Sequence, residues 1–331
     1  MYAVGIDGGG TNTRAILVGE AGQVLGLGYA GPSNYNDVGF ETAKSNIKKA
    51  ANAALNKAGL NQEGIEMSLF LGLAGIVSEK DRTTIHRMIK EIGVLTPQSI
   101  YVDHDVRIAL AGALNMEEGI CLIAGTGSSC YGRRKNGKSW RAGGWGALLD
   151  DAGGAYQIGL GAIKAATQEF DGRGAATTIT PKVMSALGIA KPDEIMHRVY
   201  VEGLCKQEIA DFAPLVTKEA ESGDLVACHI LQEGALALAK MAQAVGERLN
   251  FQNSIHIAVS GSVYKHSHLY RKNLDQAIKS KIPKAQITEP KLPPLLGAAL
   301  LAFDSADYKL SDRAKSNLIS SFNKWEKKRC N

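Results

Sequence analysis

Apolar and polar positions along the first hundred residues alternate between two rhythms. Runs in which nearly every position is apolar predict buried strands over 2–7, 13–18 and 24–30, with Gly22 at the turn between the last two. Apolar positions then recur at helical spacing through the Ala-rich stretch 39–59, whose closing Gly59 suits a helix C-cap. A strand is expected at 67–74 and a helix at 78–92, opened by Ser78 with acids behind it. A short strand at 99–102 runs into Asp103-His104-Asp105, and a helix follows at 106–114.

The same succession begins again near residue 119. An apolar strand at 119–124 leads into Gly125-Thr126-Gly127-Ser128, and a second strand follows at 129–134. Asn136-Gly137 is a hairpin signal, and a third strand reaches about Ala142. Apolar strand, glycine turn carrying Thr, then hairpin therefore occurs twice, a duplication of architecture and not of letters. From 155 to about 249 the pattern is mainly helical. A strand at 255–259 ends in Ser260-Gly261-Ser262, 291–303 is a proline-opened helix, and 311–328 is a polar amphipathic one. The fold class is α/β, with one domain expected over 1–118 and a second, carrying a helical insert, over 119–310. The last segment, 311–331, is expected to pack back on the first.

A chain of 331 residues exceeds one compact core and suits two domains. At 45% hydrophobic and 21% charged residues it is ordinary for a soluble globular protein. The 37 glycines gather in turns behind apolar runs with no period, which excludes collagen-like and linker-like chains. The net charge of +5 is thinly spread, and its densest run, 324–329, lies in the tail. No basic stripe alternates with aromatics, so nucleic acid is not an expected partner. Cys121, Cys130, Cys205, Cys228 and Cys330 are odd in number and form no CxxC pair, which argues against a disulfide framework or a zinc or iron–sulfur site. Neither a signal-peptide pattern nor an apolar run approaching ~18 residues is present, so the expectation is a cytoplasmic protein with no membrane partner.

Candidate chemistry sits at the glycine turns. Glycines behind a strand leave backbone N–H groups free to converge on an anion. Asp7-Gly8-Gly9-Gly10-Thr11-Asn12-Thr13 and Gly125-Thr126-Gly127-Ser128 are two such turns at matching places, each with hydroxyls able to hold phosphate oxygens. No Lys follows them as a P-loop requires, and strand-like residues follow where a dinucleotide fingerprint needs a helix. A carboxylate beside bound phosphates, here Asp7, can hold Mg²⁺ directly or through water. Asp105 ends the strand at 99–102, where it could accept a proton from an attacking hydroxyl. Asp103, two residues away, would share its strand face, and spacing alone does not choose between them; His104 would face away. Gly143-Gly144-Trp145-Gly146 followed by Asp150-Asp151 combines a flat apolar ring, bare amides and acids, the parts of a sugar site.

Taken in order, IDGGGTNTRA (6–15), GPSNYNDVG (31–39), DHDVRIA (103–109), LIAGTGSSC (122–130), GGWG (143–146), LDDAGGAY (149–156) and VSGSVYK (259–265) resemble the acetate and sugar kinase/heat-shock protein/actin superfamily. More narrowly, they look like the BadF/BadG/BcrA/BcrD-type ATPase family, which contains N-acetylglucosamine kinase. The resemblance implies two ribonuclease H-like domains with a cleft between them, ATP and Mg²⁺ as cofactors, and a small-molecule amino sugar phosphorylated at its 6-hydroxyl. It implies Asp105, not Asp103, as catalytic base. It implies nucleotide contacts from Gly9, Gly10, Thr11, Asn12, Thr13, Gly125, Thr126, Gly127, Ser128, Gly261, Ser262 and Gly297. Asn34, Gly75, Asp105, Thr126, Gly144, Trp145 and Asp151 match sugar-contacting positions. Related kinases often dimerise, so a homodimer is within what it implies, although no stretch of this chain marks an interface.

The chain departs from the family where Asp-Glu-Gly-Ser-Ala-Tyr is common and Asp151-Ala152-Gly153-Gly154-Ala155-Tyr156 stands instead. Loss of the Glu and Ser side chains is expected to open space, which brings glucosamine or N-acetylmuramic acid beside N-acetylglucosamine as candidate substrates. Two other readings are disfavoured. An activator of a CoA-ester dehydratase needs cysteines for an iron–sulfur cluster, and a kinase-like sugar sensor needs a helix-turn-helix ahead of the strand that starts at Tyr2.

Overall fold

A computed structural model of the chain describes residues 1–59, 66–93 and 99–330; the side chains of 328–330, and with them the end of the basic run in the tail, lie outside the described residues. Strand β1 (Tyr2–Gly8) pairs antiparallel with β2 (Thr13–Gly19), and β2 antiparallel with β3 (Val24–Ala30). On its other side β1 runs parallel to β4 (Met67–Leu73), which runs parallel to β5 (Ser99–His104). The resulting order is β3-β2-β1-β4-β5. Strands β6 (Gly119–Ala124), β7 (Ser128–Arg133), β8 (Ser139–Gly143), β9 (Ile255–Ser260) and β10 (Ala285–Thr288) repeat it as β10-β9-β6-β7-β8, with the same parallel and antiparallel senses. The duplicated rhythm of the sequence is thus a duplicated sheet topology.

Interior parallel strands are covered on both faces and so read as unbroken apolar runs. All seven residues of β4 are buried. One face of the first sheet packs on helix Phe40–Ala58, through Ala43, Ile47, Ala50 and Ala54, and on helix Glu79–Ile92, through Ile85, Met88 and Ile89. Gly59 closes the former in the left-handed conformation, φ 63°. The other face is covered by helices Pro294–Ser305 and Asp312–Cys330. The second sheet packs on Leu225–Leu249, a helix long and apolar enough to cross a membrane by composition. It lies instead along β7 and β8 with Leu231, Leu238, Ala242 and Val245 buried, while His229, Glu233, Lys240 and Glu247 are exposed.

Compact units are formed by Met1–Glu117 with Pro290–Asn331, and by Glu118–Glu289. The segment 290–310, expected with the second domain, therefore belongs to the first unit. Helix Pro294–Ser305 packs on β1 and on helix Asp105–Ala113, burying every residue from Leu295 to Phe303. A segment apolar on all sides must be covered on all sides, but its pattern does not say by which sheet. The last helix hydrogen-bonds β3: Val24 N–H donates to Ser321 Oγ (3.0 Å) and Trp325 Nε1 to Val24 O (3.1 Å). The short helices Tyr35–Val38 and Ser262–His266 were not legible, nor were two further elements. The edge strand β10 has only four residues, and helix His268–Lys281 is mostly polar.

Helix Glu79–Ile92 starts in a full capping box. Asp81 N–H donates to Ser78 Oγ (3.2 Å), and Asp81 Oδ2 accepts from the amides of Ser78 (2.7 Å) and Val77 (3.0 Å). Burial acts to raise the Asp81 carboxyl, but these bonds and that from Tyr35 Oη outweigh it and hold the group at about 2. A carboxyl depressed in the folded state contributes stability above its unfolded value of about 4 and loses it as the pH falls toward 2. In urea melts the midpoint is expected to fall between pH 4 and 2.5. Asp81→Asn should cost about 1 kcal/mol of unfolding free energy at pH 7 and flatten that acid limb.

Candidate active site

Because β1, β4 and β5 are parallel and in register, their C-terminal ends share one edge, where open α/β sheets bind ligands. Asp7, Gly72 and Asp103 occupy one row, and Gly8, Leu73 and His104 the next. The turn after β1 closes through Gly9 N–H to Asn12 O (2.9 Å), and Gly9 O accepts the amides of Ser33 (3.0 Å) and Asn34 (3.3 Å). Gly10, Thr11 and Asn12 are left exposed at its tip. Asn34 caps the short helix Tyr35–Val38 and donates to Asp37 Oδ2 (2.6 Å). Asn36 Nδ2 donates to Gly75 O (3.1 Å), and at Gly75, φ +85°, a Cβ would stand 2.2 Å from Asn34 Oδ1. Asn34, Gly75 and the turn after β1 thus meet at this edge.

The acids at the end of β5 have different fates. Asp103 Oδ1 accepts from Arg82 Nη1 (3.0 Å) and from His104 N–H (2.8 Å). Strand β5 continues through His104, and Asp105 does not end a strand but opens helix Asp105–Ala113. The two acids therefore do not share a strand face. Buried His104 caps that helix, its Nδ1 accepting from Arg107 N–H (3.1 Å). Part-exposed Asp105 accepts from Val106 N–H through Oδ1 (2.8 Å). Asp7 is paired with Arg14 across the β1–β2 ladder at 2.5 Å; burial pushes its carboxyl up, against the pull of that guanidinium.

In the second unit the turn Gly125–Gly127 is bound to the segment before helix Ala155–Phe170. Ala155 N–H donates to Gly125 O (2.8 Å), Tyr156 N–H to Thr126 O (2.9 Å) and Ser128 Oγ to Ala152 O (2.8 Å). Asp151, φ +60° and only 4% exposed, accepts from Ser128 N–H through Oδ1 (3.1 Å) and from Lys206 Nζ through Oδ2 (2.9 Å). Strand β9 is parallel to β6, so Gly261 also lies beside this turn, a Cβ there falling 2.7 Å from Gly125 N. Trp145 is 61% exposed, with the Arg141 guanidinium over its ring at 5.2 Å. A cavity of about 350 Å³ lies elsewhere in the unit, lined by Tyr264, Arg271, Asp275, Lys279, Thr288 and Glu289 among others. None of the expected site residues lines it.

The family model of the BadF/BadG/BcrA/BcrD ATPases matches residues 4–302. The chain belongs to this family. It is 34% identical to an N-acetylmuramic acid/N-acetylglucosamine kinase of Clostridium acetobutylicum, over 92% of this chain and 99% of that one. With an N-acetyl-D-glucosamine kinase of Dictyostelium discoideum it shares 30% identity, over 91% and 98% of the two chains. A solved Chromobacterium violaceum structure, a candidate N-acetylglucosamine kinase, superposes with a TM-score of 0.70 at 23% identity, covering 91% of this chain and 98% of that one. The fold is the actin-like ATPase fold of such proteins.

Several positions expected to touch ligand in this BadF/BadG/BcrA/BcrD ATPase are committed inside the protein. Thr13 is fully buried, its hydroxyl donating to Gly31 O (2.7 Å). Gly297 sits where two helices cross, a Cβ there lying 2.0 Å from Ile108 O, so it serves packing. Asp151 spends its carboxylate on Ser128 and Lys206. Nor does Gly154 leave space: a Cβ would stand 2.6 Å from the Gly127 carbonyl carbon, and the missing side chain is what admits the turn. Arg82 and Lys206 escaped sequence reading because the acids they meet at the site lie 21 and 55 residues away, and Arg82's local pairing with Glu79 (3.3 Å) gives no hint of Asp103. Gly154→Ser and Gly297→Ala should each cost about 1–3 kcal/mol in thermal or urea unfolding; unchanged midpoints would refute these contacts.

Proposed function

We propose that the protein is an ATP-dependent kinase of N-acetylated amino sugars, with Asp105 as general base. The single observation that carries the reading is family membership along nearly the whole chain, together with relatives at 34% and 30% identity that are amino-sugar kinases. The geometry within each unit supports it. Exposed residues Gly10, Thr11 and Asn12, and part-exposed Thr126 and Gly127, place backbone that suits phosphate oxygens at the C-terminal edges of parallel strands.

In the proposed reaction the sugar 6-hydroxyl oxygen attacks the γ-phosphorus of ATP, the bond from that phosphorus to the bridging oxygen breaks, and ADP leaves. The hydroxyl proton passes to the Asp105 carboxylate. Asp105 is preferred over Asp103 because it stands at the base's position in the family motif that residues 103–109 resemble, while Asp103 Oδ1 accepts from Arg82 Nη1 (3.0 Å) and from His104 N–H (2.8 Å). At the first turn of a helix, Asp105 is held in place by the backbone, its Oδ1 accepting from Val106 N–H (2.8 Å). Magnesium, brought with ATP, would neutralise phosphate charge, and Asp7 is the residue that would hold it. Asp7 Oδ2 is paired with Arg14, so Oδ1, directly or through a water, is the atom that fits. Among the described residues no group of three or more His, Cys, Asp or Glu is placed to hold a metal ion.

Release of ADP, coupled to an optical signal, should appear with N-acetylglucosamine and ATP–Mg²⁺ and be absent without sugar. Asp105→Asn should lower kcat by about 10²- to 10⁴-fold while N-acetylglucosamine binding persists. Asp103→Asn should cost far less. If Asp105→Asn turns over normally, Asp105 is not the base; if no sugar tested elicits ADP release, the kinase reading fails.

A further inference from the structure

We propose that Lys206 recognises a carboxylate on the sugar, so that acidic amino sugars carrying a 3-O-lactyl ether, of the N-acetylmuramic acid kind, are substrates. The inference rests on the amino-sugar reading above and deepens it to a substrate class and a specificity-determining residue.

Asp151 is the starting point. Its side chain is only 6% exposed, and a carboxylate so placed requires partners. Ser128 N–H supplies one to Oδ1 and Lys206 Nζ another to Oδ2. Lys206 is differently disposed, with 41% of its side chain exposed. An ammonium has three donors, and Asp151 takes one. The polar group presented outward at this spot is therefore a cation with donor capacity to spare, and the carboxylate lies beneath it.

Lys206 also stands where a lysine does nothing for its own helix. It is the first residue of helix Lys206–Ala210, and a cation at a helix N-terminus is disfavoured by the aligned peptide dipoles. The neighbouring sequence removes the opposing charge as well. Ala152, Gly153 and Gly154 add no carboxylate, and of the acids nearby Asp150 has its Oδ2 buried against Gly143 while Glu208 accepts from Cys205 N–H (2.8 Å). A neutral sugar would gain an ordinary hydrogen bond from Lys206, whereas a sugar carboxylate would gain a charge-assisted one, roughly twice as strong.

The other anion that could reach this ammonium is a nucleotide phosphate, because the Asp151 carboxylate lies against the turn at Gly127, where a Cβ would fall 2.5 Å from it. The test separates the two. Titration calorimetry on the full chain would measure N-acetylmuramic acid, N-acetylglucosamine and the non-hydrolysable ATP analogue AMPPNP with wild type, Lys206→Gln and Lys206→Arg. The ratio of N-acetylmuramic acid to N-acetylglucosamine affinity should fall at least about tenfold in Lys206→Gln and recover in Lys206→Arg, which keeps the Asp151 pairing. Equal losses for both sugars would reduce Lys206 to a support for Asp151 and overturn the proposal. Loss of AMPPNP affinity with an unchanged sugar ratio would assign the cation to phosphate and overturn it too. Wild type that binds N-acetylglucosamine but not N-acetylmuramic acid overturns it while leaving the kinase reading intact. Lys206-dependent N-acetylmuramic acid binding without phosphate transfer to any sugar keeps the carboxylate recognition by Lys206 but overturns the kinase reading and, with it, the claim that these sugars are substrates.

Discussion

Parallel pairing of β1 with β4 and of β4 with β5 is the constraint from which the rest of the first unit follows. Parallel neighbours cannot be joined by a hairpin, so a crossover must intervene, here the helices Phe40–Ala58 and Glu79–Ile92. Each crossover returns the chain to the same end of the sheet, and every parallel strand then delivers its following turn to one edge. That is why Gly8 to Asn12, Asn34, Gly75 and the acids at 103 and 105, spread over about a hundred residues of sequence, become neighbours or occupy adjacent rows. The second sheet obeys the same constraint with β6 and β9, which brings Gly261 against Gly125.

Within that frame, the partners of charged groups decide their roles. Asp103 and Asp105 are the same residue type two positions apart, yet one is neutralised by Arg82 and the other opens a helix. Asp7 is balanced by Arg14, which holds a partly buried carboxylate in place without surrounding it. Asp151 is the most deeply committed, serving the backbone of the second glycine turn on one side and Lys206 on the other. Such groups cannot be left unpaired in a low-dielectric setting, so Asp103 and Asp151 each fix the place of a cation from a distant helix, and Asp7 that of Arg14 on the neighbouring strand.

Much of the fold was legible in the letters. Strand β3 and strand β6 coincide with the runs that predict them, and the repeat of strand, glycine turn and hairpin corresponds to two sheets of one topology. The expectation for 290–310 failed because Leu295 to Phe303 are apolar on every face and carry no direction. The expectation that Gly154 opens space failed because an absent side chain reads the same whether it leaves a void or admits a backbone. Here it admits Gly127.

The sequence by itself determined the elements, the duplicated order, the glycine turns and the family, since these depend on local periodicity and on residues close together in the chain. Only the tertiary structure decided that Thr13, Gly297 and Asp151 are spent inside the protein, that Asp105 lies on a helix, and that Lys206 stands over Asp151. Hydrogen bonds and ion pairs between residues far apart along the chain are set by how sheets and helices pack, and no spacing along a single chain encodes which cation a buried acid will meet.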